Sequence, residues 1–145
     1  MESVDVSIRV RYAETDKMGI VYHANYLVWF EIGRTEFLRE RGFAYRDLEE
    51  EEDCHIVVAS LSCTFRAPAR YDDVLTIRTF IKSVRSRVVV FEYEVLHEDG
   101  RRLATGETTH VVTDHLGKPR VLPEQYRRAL EGPPSDLAVG VAPTP

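Results

Sequence analysis

Apolar residues in this chain recur at every second position except in one long stretch, where they recur at helical spacing. From Val4 to Arg11 valine or isoleucine alternates strictly with polar residues, the pattern of a half-buried strand. From Ala24 to about Arg41, Leu27, Phe30 and Phe37 line one side of a helix, Ile32 and Leu38 widen that side, and Gly42 supplies a stop. Alternation returns in four segments, at about His55 to Phe65, Val74 to Ile81, Val88 to Leu96 and Leu103 to Thr113. In the third of these, Val89, Phe91, Tyr93 and Val95 share a face while Glu92 and Glu94 point away. A helix of about eighteen residues spans roughly 27 Å, enough to cross a sheet. One strand, one long helix and then four strands predict an α+β chain in which a five-stranded, mostly antiparallel sheet covers the helix.

The connections agree with that order. Glu98-Asp99-Gly100 forms a hairpin turn, and Asp72-Asp73 after Pro68 opens the second of the four strands. A short helix is expected from Pro123 to about Glu131. Residues 1–131 read as one domain, and residues 132–145, with four of the seven prolines, as a mobile tail. On the long helix, Glu31 with Arg34 and Glu36 with Arg39 have the spacing of solvated ion pairs. The acidic run Glu49 to Asp53 is expected to be a solvated loop rather than a metal cluster, since no turn glycine or alternating ligand spacing accompanies it.

Charge narrows the function classes. With 19 Lys+Arg against 24 Asp+Glu and a formal charge of −5, the chain lacks the basic surface that phosphate neutralisation on duplex nucleic acid requires. The N-terminal MESVDVSIRVRY has no apolar run for a signal peptide or a membrane span, so a cytoplasmic protein is expected. Cys54 and Cys63 suit neither a disulfide framework nor a CxxC pair and are expected to be buried, reduced thiols. No G-x-S-x-G or HExxH pattern occurs.

Between the first strand and the long helix lies ETDKMGIVYHANY, Glu14 to Tyr26. Asp16 and Gly19 sit in the connection, and the helix begins just beyond Tyr22-His23, so the free N–H groups of its first turn face the region of the carboxylate. That pairing suits hydrolysis of an activated acyl group: the amides hold the developing oxyanion, and Asp16 acts as nucleophile or as base. Asp16 could equally close an Asx-turn, His23 could pack against the sheet, act as acid/base or donate to substrate, and Asn25 could cap the helix. Tyr22 and Tyr26 could be packing residues.

The run RYAETDKMGIVYHANYLVWFEIGRTEFLRERG, with its D-x-x-G-x-V-x-H-x-x-Y signature, resembles the start of the 4-hydroxybenzoyl-CoA thioesterase family and its YbgC-like acyl-CoA thioesterases. With the late stretch VVTDHLGKPRVLP, the resemblance extends from Val4 to Arg128. It implies a hotdog fold whose subunits join their sheets, with active sites at the dimer interface, often within a homotetramer. It implies a thioester hydrolase acting on acyl-CoA without a cofactor, coenzyme A being part of the substrate. Asp16 matches the catalytic carboxylate, and His23 opens the helix with its backbone N–H aimed at the thioester carbonyl and its side chain assisting. Gly19, Val21, Tyr22, Asn25 and Tyr26 fall beside the substrate, Gly19 permitting close approach. In the basic turn before the fourth strand, Arg85, Ser86 and Arg87 are candidates for the CoA phosphates, with Lys118 and Arg120 as further basic candidates. One branch uses a helix glutamate; Glu31 and Glu36 are available, but Asp16 stands in the motif. A hydratase or dehydratase on acyl thioesters and a non-catalytic acyl-CoA-binding module are the competing classes.

Overall fold

The computed structural model describes residues 2–132. Strands β1 (Ser3–Arg9), β2 (His55–Phe65), β3 (Val74–Val84), β4 (Val88–His97) and β5 (Arg102–Thr113) form one sheet in the order β1-β3-β4-β5-β2. Every neighbouring pair is antiparallel. Helix α1 (Asn25–Glu40) lies across β1, β3 and β4, with α2 (Tyr45–Glu52) following it and α3 (Glu124–Glu131) closing the described chain. This is the helix-wrapped antiparallel sheet expected of a hotdog fold.

Periodicity explains the core. Leu75, Ile77 and Thr79 of β3 and Val89, Phe91, Tyr93 and Val95 of β4 are buried in strict alternation, as a sheet with one covered face requires. The buried stripe of α1 is Tyr26, Trp29, Phe30, Gly33, Phe37 and Leu38, at helical steps of three and four. Phe30 stacks on Tyr93 with ring centroids 4.3 Å apart, and Phe37 meets Phe91 edge to face at 5.9 Å. Two glycines bring helix and sheet this close: a Cβ on Gly33 would strike Thr79 Oγ1, and one on Gly106 would lie 2.5 Å from the Phe30 ring.

Three expectations are corrected. Leu27 and Ile32 are 37% and 36% exposed, because the buried stripe starts from Tyr26 and leaves them on the outer flank of α1. Glu49 to Glu52 form the last turn of α2 and are not a loop. Glutamate is a good helix former, Leu48 buries the inner side, and Asp53 ends the helix in the left-handed region at φ 51°. Asn25 is the first helical residue rather than the cap, which falls on Ala24 with no capping side-chain bond. The expected tail from residue 133 onward lies outside the described residues.

Strand β2 sits at the edge of the sheet and is only partly covered. Its register against β5 slips at a bulge between Val58 and Ser60. The slip keeps Ile56, Val58, Leu61, Cys63 and Phe65 opposite Val112, His110, Thr108, Gly106 and Ala104, most of them buried beneath the helices. Val57, Val58, Leu61 and Phe65 nonetheless remain exposed at this edge.

Candidate active site

After β1, a single 3-10 turn, Tyr12–Glu14, leads into a small hairpin in which Thr15 bridges Val21. The Asp16 N–H donates to the Ile20 carbonyl at 2.9 Å and the Gly19 N–H to the Asp16 carbonyl at 2.9 Å. Gly19 takes φ +81°, and a Cβ there would meet no atom of the chain, so the turn demands glycine for its backbone angle and not for room within the fold. Asp16 Oδ1 accepts the Met18 N–H at 2.8 Å, which completes an Asx-turn. The other carboxylate oxygen has no donor among the described residues. Turn-making and an available oxygen therefore coexist in one side chain.

The start of α1 supplies the second component. The Asn25 N–H donates to the Tyr22 carbonyl at 3.0 Å and the Tyr26 N–H to the His23 carbonyl at 3.1 Å, whereas the amides of His23 and Ala24 have no acceptor among the described residues. The His23 ring is exposed, tilted against Tyr22 at 4.6 Å and edge-on to Phe65 at 6.4 Å. Tyr22 is exposed beside it. Val21 and Tyr26 are turned into the core: the Val21 N–H donates to the Ala69 carbonyl at 2.8 Å, Tyr26 packs on Phe65, and burial pushes its phenol up to about 12. They support the loop from beneath. Asn25 serves as a latch, its amide nitrogen donating to the Glu14 carbonyl at 2.9 Å.

Glu14 is the residue that sequence reasoning passed over. Only 7% exposed, it accepts the Arg11 N–H at 2.8 Å and the Trp29 indole N–H at 3.1 Å through its carboxylate. Its carbonyl accepts the Tyr22 N–H at 2.9 Å as well as Asn25. One buried acid thus ties the 3-10 turn, the residue before His23 and the second turn of α1 together. Its signal in the sequence was its place two residues ahead of Asp16.

The basic turn is elsewhere. Arg85, Ser86 and Arg87 are exposed between β3 and β4, where the Ser86 carbonyl accepts the Leu122 N–H at 2.7 Å and the Arg87 carbonyl accepts the Val112 N–H at 2.9 Å. Val88 aligns with Val111 and Val111 with Val57, so this turn stands at the end of the sheet where β2 begins. The Asp16 loop stands at the other end, where β1 finishes and Phe65 closes β2. Eleven residues of β3 separate the two ends, about 36 Å at strand spacing. A single chain does not bring them together. Lys118 and Arg120 share the distant end; Lys118 is exposed, and Arg120 Nε lies 3.1 Å from Cys54 Sγ. Both cysteines are free; Cys54 is buried as expected, whereas Cys63, on the edge strand β2, is only partly buried, which still pushes its thiol up to about 11.

Of the expected helix pairs, Glu36 and Arg39 meet at 2.6 Å. Glu31 and Arg34 do not pair; Arg34 instead lies 3.5 Å from the Tyr93 hydroxyl. Among the described residues, no helix is long and apolar enough to cross a membrane.

Known proteins resemble the chain along most of its length. The chain is 39% identical to the acyl-CoA thioester hydrolase YbgC of Escherichia coli over 81% of its length and 87% of the relative. It is 37% identical to YneP of Bacillus subtilis over 84% of its length and 86% of that protein. The structure of a DHNA-CoA thioesterase from Staphylococcus aureus superimposes with a TM-score of 0.86 at 30% identity, covering 90% of each chain. The thioesterase-like superfamily matches residues 10–130, and the chain belongs to it.

Proposed function

We propose that the protein hydrolyses an acyl-CoA thioester to a free acid and CoA. The observation that carries this reading is the Asp16 carboxylate, with one oxygen uncommitted, on a hairpin that leads into a helix start whose His23 and Ala24 amides lack acceptors. The relatives support it, the Escherichia coli protein being named an acyl-CoA thioester hydrolase. In the proposed reaction the thioester oxygen lies on the His23 N–H, where the helix dipole favours the charge that develops as the carbonyl is attacked. Asp16 either attacks the carbonyl carbon, expelling CoA thiolate and leaving an anhydride that water opens, or takes a proton from the attacking water. No step runs through a metal or organic cofactor, and CoA enters as part of the substrate. The cytoplasm is the compartment we assign to the reaction.

The proposal includes a homodimer. An edge strand with unpaired backbone groups and exposed Val57, Leu61 and Phe65 favours pairing with a second copy of itself. Antiparallel pairing of β2 over its length sets the His55 end of one copy against the Phe65 end of the other. Arg85, Ser86 and Arg87 of one subunit then serve the CoA phosphates at the Asp16 site of the second, and further pairing of dimers gives the expected homotetramer.

Replacing Asp16 with asparagine tests the chemistry. The variant is expected to lose at least about a thousandfold in kcat for thiol release while retaining its fold and its affinity for the ester. Near-normal turnover would reject Asp16 as the reacting group. Consumption of crotonyl-CoA without thiol release would point to hydration instead, and tight binding without any turnover to a binding module.

A further inference from the structure

Helices α1 and α2 and the start of β2 line an open cavity of about 560 Å³ whose walls include Glu31, Arg34, Tyr45, Arg46 and Ile56. Arg34 is half-buried there, and no carboxylate among the described residues lies within ion-pair distance of it. None of the nearby acids pairs with it. Glu31 does not reach it, Glu36 is taken by Arg39, and Glu49 is turned toward His55 Nδ1 at 3.7 Å. The neighbours of the guanidinium are neutral hydroxyls: that of Tyr93, already bonded to Thr108 Oγ1 at 2.6 Å, and that of Tyr45, buried without a well-formed hydrogen bond. A half-buried guanidinium that faces two hydroxyls and no carboxylate keeps N–H donors that an anion can take up.

The cavity lies at the Ile56 end of β2, away from the Asp16 loop of its own chain. Antiparallel pairing through β2 places it beside the Phe65 end of the second copy, and Phe65 touches His23 and Tyr26. The bulge at Val58 keeps Ile56 and Phe65 on the same side of the sheet, so the cavity and the second copy's loop share a face. We propose that the cavity receives the far end of the acyl group, and that Arg34 with Tyr45 selects chains that end in a carboxylate, the ω-carboxyacyl thioesters. This rests on the thioesterase and dimer reading above. A single planar carboxylate fits one guanidinium fork with a hydroxyl donor beside it.

Two CoA thioethers that cannot be hydrolysed, S-(4-carboxybutyl)-CoA and S-pentyl-CoA, differ only in the terminal group and can be titrated calorimetrically into the full chain. The wild type is expected to bind the carboxybutyl compound at least about tenfold more tightly. Arg34→Met should bring the ratio of affinities to about one or below, and Tyr45→Phe should reduce it several-fold. Equal affinities in the wild type, or a ratio unchanged in both variants, would overturn the assignment. Should Arg34→Met fail to fold, the wild-type ratio and the Tyr45→Phe ratio still decide. Thiol release from glutaryl-CoA and valeryl-CoA separates the two readings. Carboxylate-selective binding with neither ester cleaved keeps the cavity and overturns hydrolysis; cleavage of both with equal binding of the thioethers does the reverse.

Discussion

Glu14 holds more of the candidate site in place than any residue expected to react. Its carboxylate fixes Trp29 and its carbonyl fixes Tyr22 and Asn25, so the orientation of the unpaired His23 amide depends on it. Trp29 is the only tryptophan in the chain, which makes the arrangement optically readable. Glu14→Gln keeps the shape and an acceptor oxygen but adds a donor that the indole N–H cannot use. We expect a shift in Trp29 fluorescence and a fall in kcat of about tenfold or more, with KM changing much less. Glu14→Asp, which keeps the charge on a shorter stem, should recover part of both. Unaltered emission together with unaltered kcat would mean that the loop is held by other contacts. Asp16 differs in kind: its Asx-turn and its free oxygen use separate atoms, so the turn residue and the reacting residue can be the same one.

At the level of elements, the strands were legible because burial on one side of a sheet imposes a period of two, and β2 was bounded in the sequence at the same residues, His55 to Phe65. The same alternation buries Val89, Phe91, Tyr93 and Val95 of β4. Helix α1 was legible as a helix, but its facing was not. Leu27 and Ile32 look like core residues, and only contact with Tyr93 and Phe91 reveals that the stripe begins at Tyr26. The glycines at positions 33 and 106 gave no local signal, since what they meet, Thr79 and Phe30, is distant in sequence. Within the site, Asp16 and the helix start could be found from spacing, whereas the buried bonds of Glu14 could not. That Arg85 to Arg87 stand at the opposite end of the sheet from Asp16 is a property of register, which no local pattern carries.

For the whole molecule, the buried polar cluster beneath α1 sets a dependence on pH. His110 is fully buried, its Nε2 pairs with Thr108 Oγ1 at 2.8 Å and its Nδ1 has no well-formed hydrogen bond. Burial first, and then the charge of Arg34, push its pKa down to about 4, against a slight opposing influence of the Ile56 backbone. A histidine depressed in the folded state is neutral there while the unfolded chain takes up the proton. Its contribution is therefore fully present above about pH 6.5 and is lost progressively toward about pH 4, by an amount on the order of 3 kcal/mol. Melting temperatures between pH 7 and 4.5 should fall with a steeper slope in the wild type than in His110→Gln. Parallel slopes would show that His110 does not differ between the two states.

The separation of the Asp16 loop from the Arg85 to Arg87 turn also has a consequence for mixed assemblies. If each site takes Asp16 from one subunit and the basic turn from another, two defective chains can repair one another. A subunit carrying Asp16→Asn retains a sound basic turn, and one carrying Arg85→Ala with Arg87→Ala retains a sound Asp16. In the mixed dimer one site receives both defects and the other receives neither. Co-expressed in equal amounts with different affinity tags, the two chains form mixed dimers in about half of all pairings, each with one of two sites intact. The expected activity at limiting substrate is about a quarter of the wild type, against near-background values for each variant alone. Purification through both tags in turn removes assemblies built of one chain alone and should raise this figure, to about half for free dimers and to about 0.3 where dimers pair further into tetramers. If doubly purified dimers are no more active than the separate variants, the basic turn does not serve the neighbouring subunit's Asp16, and the pairing through β2 would have to be abandoned as the origin of the site.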